Sequence, residues 1–266
     1  MIEAVTLDFG NTLVPVPAAA LRVVVAVTAR GMAERLGPFD PETDLEVWHQ
    51  ERERQFREEV PQFREVDMAQ RIVRILARLR GMAPPPDDTR WDDAAAGERS
   101  DPAEVAWAIE VYSGAFVDAL PAAPGAGALI ERLARDRKVA VLSNWPLAET
   151  IDRYCEAAGW AEHLTAIVVS QRVGTIKPHQ AIFAAAREAL GNPPPHRILH
   201  VGDDWAADVV GATRAGWRAA YLASRPGDSP LPGSERDGAA TPDLELATLA
   251  DLEPGLAALE VGRAPG

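Results

Sequence analysis

The chain has 266 residues, and 27 Lys and Arg against 40 Asp and Glu leave a formal charge of −13. Hydrophobic residues make up 47% and charged residues 25%, a globular balance that excludes a wholly disordered chain, a collagen and a disulfide-rich miniprotein. The acidic balance argues against a general nucleic-acid binder, because phosphate backbones repel such a surface, yet it leaves room for a phosphate ligand in one local pocket.

The length exceeds one typical domain and is short for two large ones, so a main domain with a smaller inserted or appended one is expected. Cys155 is the only cysteine, so no intramolecular disulfide can form. Residues Met1 to Val5 lack the basic region and apolar core of a signal peptide. No run approaches the roughly 18–20 apolar residues of a membrane span. The expectation is a cytoplasmic protein without a membrane partner.

In chain order, Ala4–Phe9 is a short apolar run that reads as a strand. Four helical patterns follow at Ala18–Leu36, Glu42–Glu59, Val66–Arg80 and Ala103–Ala119. The second is dense in charge, with Glu51-Arg52-Glu53-Arg54 and Arg57-Glu58-Glu59, and reads as a solvated helix face. Ala83–Asp101 holds Pro84-Pro85-Pro86 and many acids, and reads as an exposed loop. Beyond Leu120 the rhythm becomes regular. Apolar runs at Val139–Leu142, Ala166–Val169, Ile198–Val201 and Ala219–Leu222 are interleaved with helical patterns at Gly125–Arg135, Ala148–Ala158, Pro178–Leu190 and Ala206–Ala215. None of the runs alternates cleanly, so they read as buried parallel strands. Strand–helix alternation implies βαβ units and a doubly wound parallel sheet. Pro226–Gly238 reads as a flexible loop, Asp243–Leu252 as a last short strand and helix, and Val261–Gly266 as a disordered end. The domain expectation is an α/β core of residues 1–14 and 120–252, an inserted helical module of residues 15–119, and a C-terminal tail of residues 253–266.

Three expected strands end in residues that carry chemistry. The first runs into Asp8-Phe9-Gly10-Asn11-Thr12-Leu13, the second into Ser143-Asn144, and the fourth into Gly202-Asp203-Asp204, with Asp208 one helical turn on. Open α/β sheets bind ligands at the carboxyl ends of their strands, so Asp8, Ser143 and Asp203 should gather at one edge. Lys177, one of only two lysines, starts the helix between the second and fourth strands and can reach the same place. Carboxylates near one point repel each other unless a cation joins them, and a hard divalent cation, Mg²⁺ above all, suits Asp8 and Asp203. Asp8 can act as a carboxylate nucleophile, Ser143 can donate to a phosphoryl oxygen, and Lys177 can neutralise an anionic group and orient Asp8. Taken singly, Asp8 is an ordinary strand-end carboxylate, Ser143 a turn residue and Asp203 a helix N-cap. Taken jointly, they describe a phosphoryl-transfer site.

These segments, with Ser170-Gln171-Arg172-Val173-Gly174-Thr175-Ile176-Lys177-Pro178 between the second and fourth, resemble the four motifs of the haloacid dehalogenase-like superfamily, in the family's order. The resemblance implies a Rossmann-like core with a helical cap inserted after the first motif, and a Mg²⁺-dependent phosphatase acting on a small phosphorylated metabolite through an aspartyl-phosphate. It implies that Asp8 is nucleophile and metal ligand, that the Gly10 carbonyl and Asp203 complete the protein ligands, and that Asp208 supports the metal site. Ser143 and Lys177 would hold the phosphoryl group, while Thr12 and Asn144 shape the loop around it and Trp145 faces the substrate. A monomer or homodimer is expected.

One departure stands out. Phosphatases of the family usually carry a second Asp two residues after the nucleophile as general acid and base, and this chain has Gly10 there. Positioned proton transfer contributes ~10²–10⁴-fold, so the loss should be felt. A cap side chain can supply the proton, with His49, Glu46 and Asp40 as candidates; the substrate can have a good leaving group; or the reaction is not phosphate-ester hydrolysis. The dehalogenase branch also lacks that Asp, which makes a 2-haloacid dehalogenase-like hydrolase one alternative and a non-catalytic binding protein another. The phosphonatase branch relies on a cap lysine, which this chain lacks because Lys138 and Lys177 are its only lysines. Outside the motifs, Trp205, Trp48 and Trp107 read as packing residues, His200 as a core histidine, and Cys155 as buried rather than reactive.

Overall fold

The strand β1 (Ala4–Leu7) is buried at every residue, as befits a chain segment covered on both faces. It lies in the middle of a single six-stranded sheet with β2 (Lys138–Ser143), β3 (Ala166–Val169), β4 (Ile198–Gly202), β5 (Arg218–Leu222) and β6 (Leu244–Leu246). The order is β3-β2-β1-β4-β5-β6, and every neighbouring pair is parallel. This is the doubly wound arrangement expected from the strand–helix alternation. Its topological switch lies between β1 and β4, where the chain turns from building one side of the sheet to the other. The computed structural model describes residues 1–83 and 93–261. The chain divides into two compact units, Met1–Ala18 with Leu120–Gly266, and Ala19–Ala119.

The unit of residues 19–119 is helical: α1 (Ala18–Leu36), α2 (Pro41–Glu58), α3 (Met68–Leu79), α4 (Asp93–Gly97) and α5 (Pro102–Ala119). Asp40 caps α2 by accepting from the Thr43 N–H at 2.9 Å, and Asp67 caps α3 by accepting from Ala69 N at 2.7 Å. The charge-rich α2 is not simply a solvated face. Glu51 is buried, with one oxygen accepting from Arg54 and Arg74, each at 2.9 Å, and the other from Arg78 at 3.1 Å. Gln55, also buried, accepts from the buried Arg71 at 2.7 Å. Glu51 therefore pairs with arginines of both α2 and α3 inside the unit, and burial of its charge is offset by them. Trp48 stacks on Tyr112 with ring centroids 6.2 Å apart, a packing role as expected. The expected loop at 83–101 holds α4, while its residues 84–92 lie outside the described residues.

In the sheet unit, α6 (Ala126–Leu133), α7 (Ala148–Ala157), α8 (Ser170–Val173), α9 (Gln180–Ala189), α10 (Gly211–Arg214) and α11 (Leu252–Val261) flank the strands. A π-helical turn, Trp205–Val210, replaces the first half of the helix expected at 206–215. Ile182, Phe183 and Ala186 of α9 pack with Ala140 and Leu142 of β2 and Ile198 of β4 in one apolar cluster. Phe183 lies edge-on to His200 and to Trp217. The residues assigned to a tail from 253 onward are instead helical to Val261, because Leu252 and Leu256 bury an apolar face; residues 262–266 lie outside the described residues. Cys155 is fully buried, as expected. No described helix is long and apolar enough to cross a membrane.

Candidate active site

Strand register builds the site. Leu7 pairs with Val141 on one side and Val201 on the other, so the next residue, Asp8, emerges beside the ends of β2 and β4. The Asp8 N–H donates to the Val201 carbonyl at 2.8 Å, which fixes where its side chain leaves the sheet. The chain then makes a tight loop. Asn11 takes a left-handed conformation, φ 60°, which Asn tolerates better than most residues, and the N–H groups of Leu13 and Val14 return to the Phe9 carbonyl.

Lys177 ties the set together. Its Nζ, buried at 2% exposure, donates to Asp8 Oδ1 at 2.8 Å, Asp208 Oδ1 at 2.7 Å and the Leu142 carbonyl at 2.9 Å. Three acceptors use all three ammonium protons. Burial disfavours the charge, but Asp208 and then Asp8 outweigh it and hold the ammonium above its ordinary pKa. Lys177 does not start a helix: α9 begins at Gln180 with His179 as its N-cap. Asn144 positions Lys177 instead, accepting from its N–H at 2.7 Å and donating to its carbonyl at 3.1 Å.

Asp208 serves as a hub. One oxygen accepts from Lys177 and faces His200 Nε2 at 3.0 Å, while the other accepts the Asp204 N–H at 2.9 Å. Burial opposes its ionisation, yet Lys177 and then His200 hold it below the usual carboxylate range. Gly202 makes this approach possible, since a Cβ there would lie 2.1 Å from Asp208 Oδ2. His200 is buried as expected, but it is more than a core residue. Register places it opposite Thr6, whose hydroxyl sits 2.8 Å from Nδ1. Burial, and then Lys177, push the ring's pKa down, and the Asp208 carboxylate facing Nε2 can only accept there.

Asp203 is buried and pushed up to about 8, by burial first and then by Asp8 and Asp208. Its oxygens take a long 3.4 Å hydrogen bond from Thr12 Oγ1 and an ion pair from Arg225 at 3.2 Å. The N-cap role falls to its neighbour Asp204, which accepts from Ala207 N at 2.8 Å. One oxygen each from Asp8, Asp203 and Asp208 lies within 4.8 Å of the others. Such an oxygen-only, multiply anionic donor set suits a hard cation. Ser143, 1% exposed at the end of β2, has a hydroxyl with no hydrogen-bond partner among the described residues, an unmet donor at the same sheet edge. Asp8 has one oxygen held by Lys177 and none of the described residues donating to the other.

The expected residues divide by task. Asp8, Asp203, Asp208 and Lys177 come together directly. Trp145 lies buried, its ring edge-on to Phe9 at 5.7 Å, with its backbone N–H donating to Ser170 Oγ at 2.8 Å. From sequence His200 reads only as a core histidine, without its contact to Asp208, and Arg225 is not singled out. Strand register with Thr6 is the signal that could have found His200, whereas nothing local marks Arg225.

The haloacid dehalogenase-like hydrolase family model matches residues 2–216. A pyrimidine 5′-nucleotidase, YjjG of Escherichia coli, is 31% identical over 113 residues, 42% of this chain and 50% of that protein. A 5-amino-6-(5-phospho-D-ribitylamino)uracil phosphatase, YigB of the same organism, is 33% identical over 41% of this chain and 44% of its own. The matches thus span about half the length of these relatives. Among solved structures, a 2-haloacid dehalogenase from Pseudomonas syringae superposes with a TM-score of 0.68 at 23% identity, covering 97% of this chain and 99% of that one, a likeness of fold.

Proposed function

The chain belongs to the haloacid dehalogenase-like hydrolase family, and on that premise we propose that it is a Mg²⁺-dependent phosphatase acting on a small phosphorylated metabolite. The observation that carries this reading is the gathering of Asp203 and Asp208 around Asp8. Three carboxylates converging on one point suit a hard cation, which displacement of a halide does not need. The partial matches to two phosphatases support the same reading.

Asp8 and Asp203 through their carboxylates, and Gly10 through its backbone carbonyl, are the residues that would hold Mg²⁺. When bound, the ion neutralises phosphoryl oxygens and acts as a Lewis acid. Asp208 belongs to this site as its support, since both its oxygens are engaged by Lys177, His200 and the Asp204 N–H. Asp8 attacks phosphorus through the oxygen that Lys177 leaves free, forming an aspartyl-phosphate that water then hydrolyses. Lys177 fixes the nucleophile's orientation and offsets the charge of the incoming phosphoryl group. Ser143 donates its unmet proton to a phosphoryl oxygen. Thr12 steadies Asp203, Asn144 steadies Lys177, and Trp145 forms a wall beside the substrate. Residues 15–119 are the cap, and the protein works in the cytoplasm as a monomer or homodimer.

The test is phosphate release from a panel of phosphate esters and acyl phosphates, with Mg²⁺ and with EDTA, alongside Asp8→Asn. Release that needs both the metal and Asp8 is expected. Halide release from 2-haloacids in EDTA, with no phosphate release from any ester, would overturn the reading.

A further inference from the structure

The segment between β5 and β6, expected as a flexible loop, is fastened to the rim of the site at three points. Ser229 Oγ donates to Asn11 Oδ1 at 3.1 Å. Arg225 pairs with Asp203 at 3.2 Å while also donating to the carbonyls of Leu231 and of Pro232, the latter at 2.9 Å. Ser234 Oγ donates to Asp204 Oδ1 at 2.7 Å and accepts the Ala206 N–H at 2.6 Å. Between these pins, Leu231 comes down on Gly10. A Cβ at residue 10 would lie 2.7 Å from Leu231 Cδ1 and 3.1 Å from Trp145 Cζ3. The space into which a side chain at position 10 would project is therefore filled by aliphatic and indole carbon, and neither carries a transferable proton.

Resting on the phosphatase reading, we propose that Leu231 and Trp145 set the substrate class: phosphate esters of acidic hydroxyls, aryl phosphates above all, whose leaving oxygen departs unprotonated. In the first step the free Asp8 oxygen forms a bond to phosphorus. The bond from phosphorus to the aryl oxygen breaks, and its electron pair leaves on the phenolate. Water then hydrolyses the aspartyl-phosphate to restore the carboxylate and release phosphate. The proton lost from that water goes to solvent and balances the phenolate. An alkyl ester would have to expel an alkoxide and meets the full cost of the missing acid, ~10²–10⁴-fold. The apolar wall favours an aromatic leaving group packed against it.

The test measures kcat/KM over a series of substituted phenyl phosphates of decreasing phenol acidity, with benzyl phosphate as an alkyl ester of similar size. A steady fall along the series is expected, with benzyl phosphate slower than phenyl phosphate by at least about 10²-fold. A flat series, with benzyl phosphate equal to phenyl phosphate, would overturn the inference and leave the phosphatase reading intact. No phosphate release from any ester would sink both. A second arm compares Leu231→Ala with Leu231→Ala combined with Gly10→Asp, the latter adding an acid where room has been made. In the folded double variant the benzyl-to-phenyl ratio is expected to rise at least about tenfold over Leu231→Ala alone. An unchanged ratio would refute the role given to Leu231.

Discussion

Asp44 lies in the first turn of α2, fully buried, with neither carboxylate oxygen hydrogen-bonded among the described residues. Burial pushes its pKa from 3.8 up to about 6. The sign of the linkage follows directly. The folded state holds this proton more tightly than the unfolded state, so stability is greatest below pH 4, falls as pH rises towards 6, and is level above that. At about 1.4 kcal/mol per pKa unit the full penalty is about 3 kcal/mol. Asp44→Asn removes the ionisation while keeping the shape, and whatever its amide costs does not depend on pH. The two proteins share every other titrating group, so those contributions cancel in the difference. Urea denaturation followed by far-ultraviolet circular dichroism at pH 4.5 and 7.5 measures it. The variant should gain about 2 kcal/mol on the wild type between those pH values. A difference that stays constant across that range would refute the assignment of an unpaired buried carboxylate.

Replacing Lys177 with Met leaves Asp8 and Asp208 buried without their cation, and unfolding should become easier by about 3–5 kcal/mol in denaturant titrations. Phosphate release should vanish in the same variant. Gly202→Ala forces a methyl group against the Asp208 carboxylate, so a loss of about 1–3 kcal/mol in the same titration is expected, together with lowered turnover as Lys177 and Asp208 separate. Burial, with Asp152 and Glu156 nearby, pushes the Cys155 thiol up to about 12. It should therefore resist a thiol-specific disulfide reagent in the native state at pH 8 and react promptly in urea; fast native labelling would contradict its burial.

Much of the sheet unit was legible because its elements obey local rules. Unbroken apolar runs such as Val139–Leu142 must be covered on both faces, and the strands found at β2, β3, β4 and β5 follow those runs within a residue or two. Strand ends were equally readable, because the polar residue after an apolar run marks the sheet's edge; this put Asp8, Ser143 and Asp203 together. Other features depended on partners distant in sequence. The charges of α2 looked solvated because pattern alone does not reveal that Arg74 and Arg78, on another helix, face Glu51. Gly10 showed only that an acid is missing. That Leu231, more than two hundred residues on, fills the place came from the fold alone.

The sequence by itself determined the parallel sheet, the loop that carries Asp8 and the placing of Lys177 beside it, because periodicity and strand ends are properties of neighbouring residues. Tertiary structure alone decided how the charges are apportioned: Asp208 is occupied by Lys177 and His200, Asp203 is met by Arg225, and Asp8 is left with one oxygen outside the Lys177 contact. The physical reason is that a hydrogen bond acts over about 3 Å in space, whatever the separation along the chain. Loops of dissimilar sequence can supply the same partner, so no local pattern records which one does.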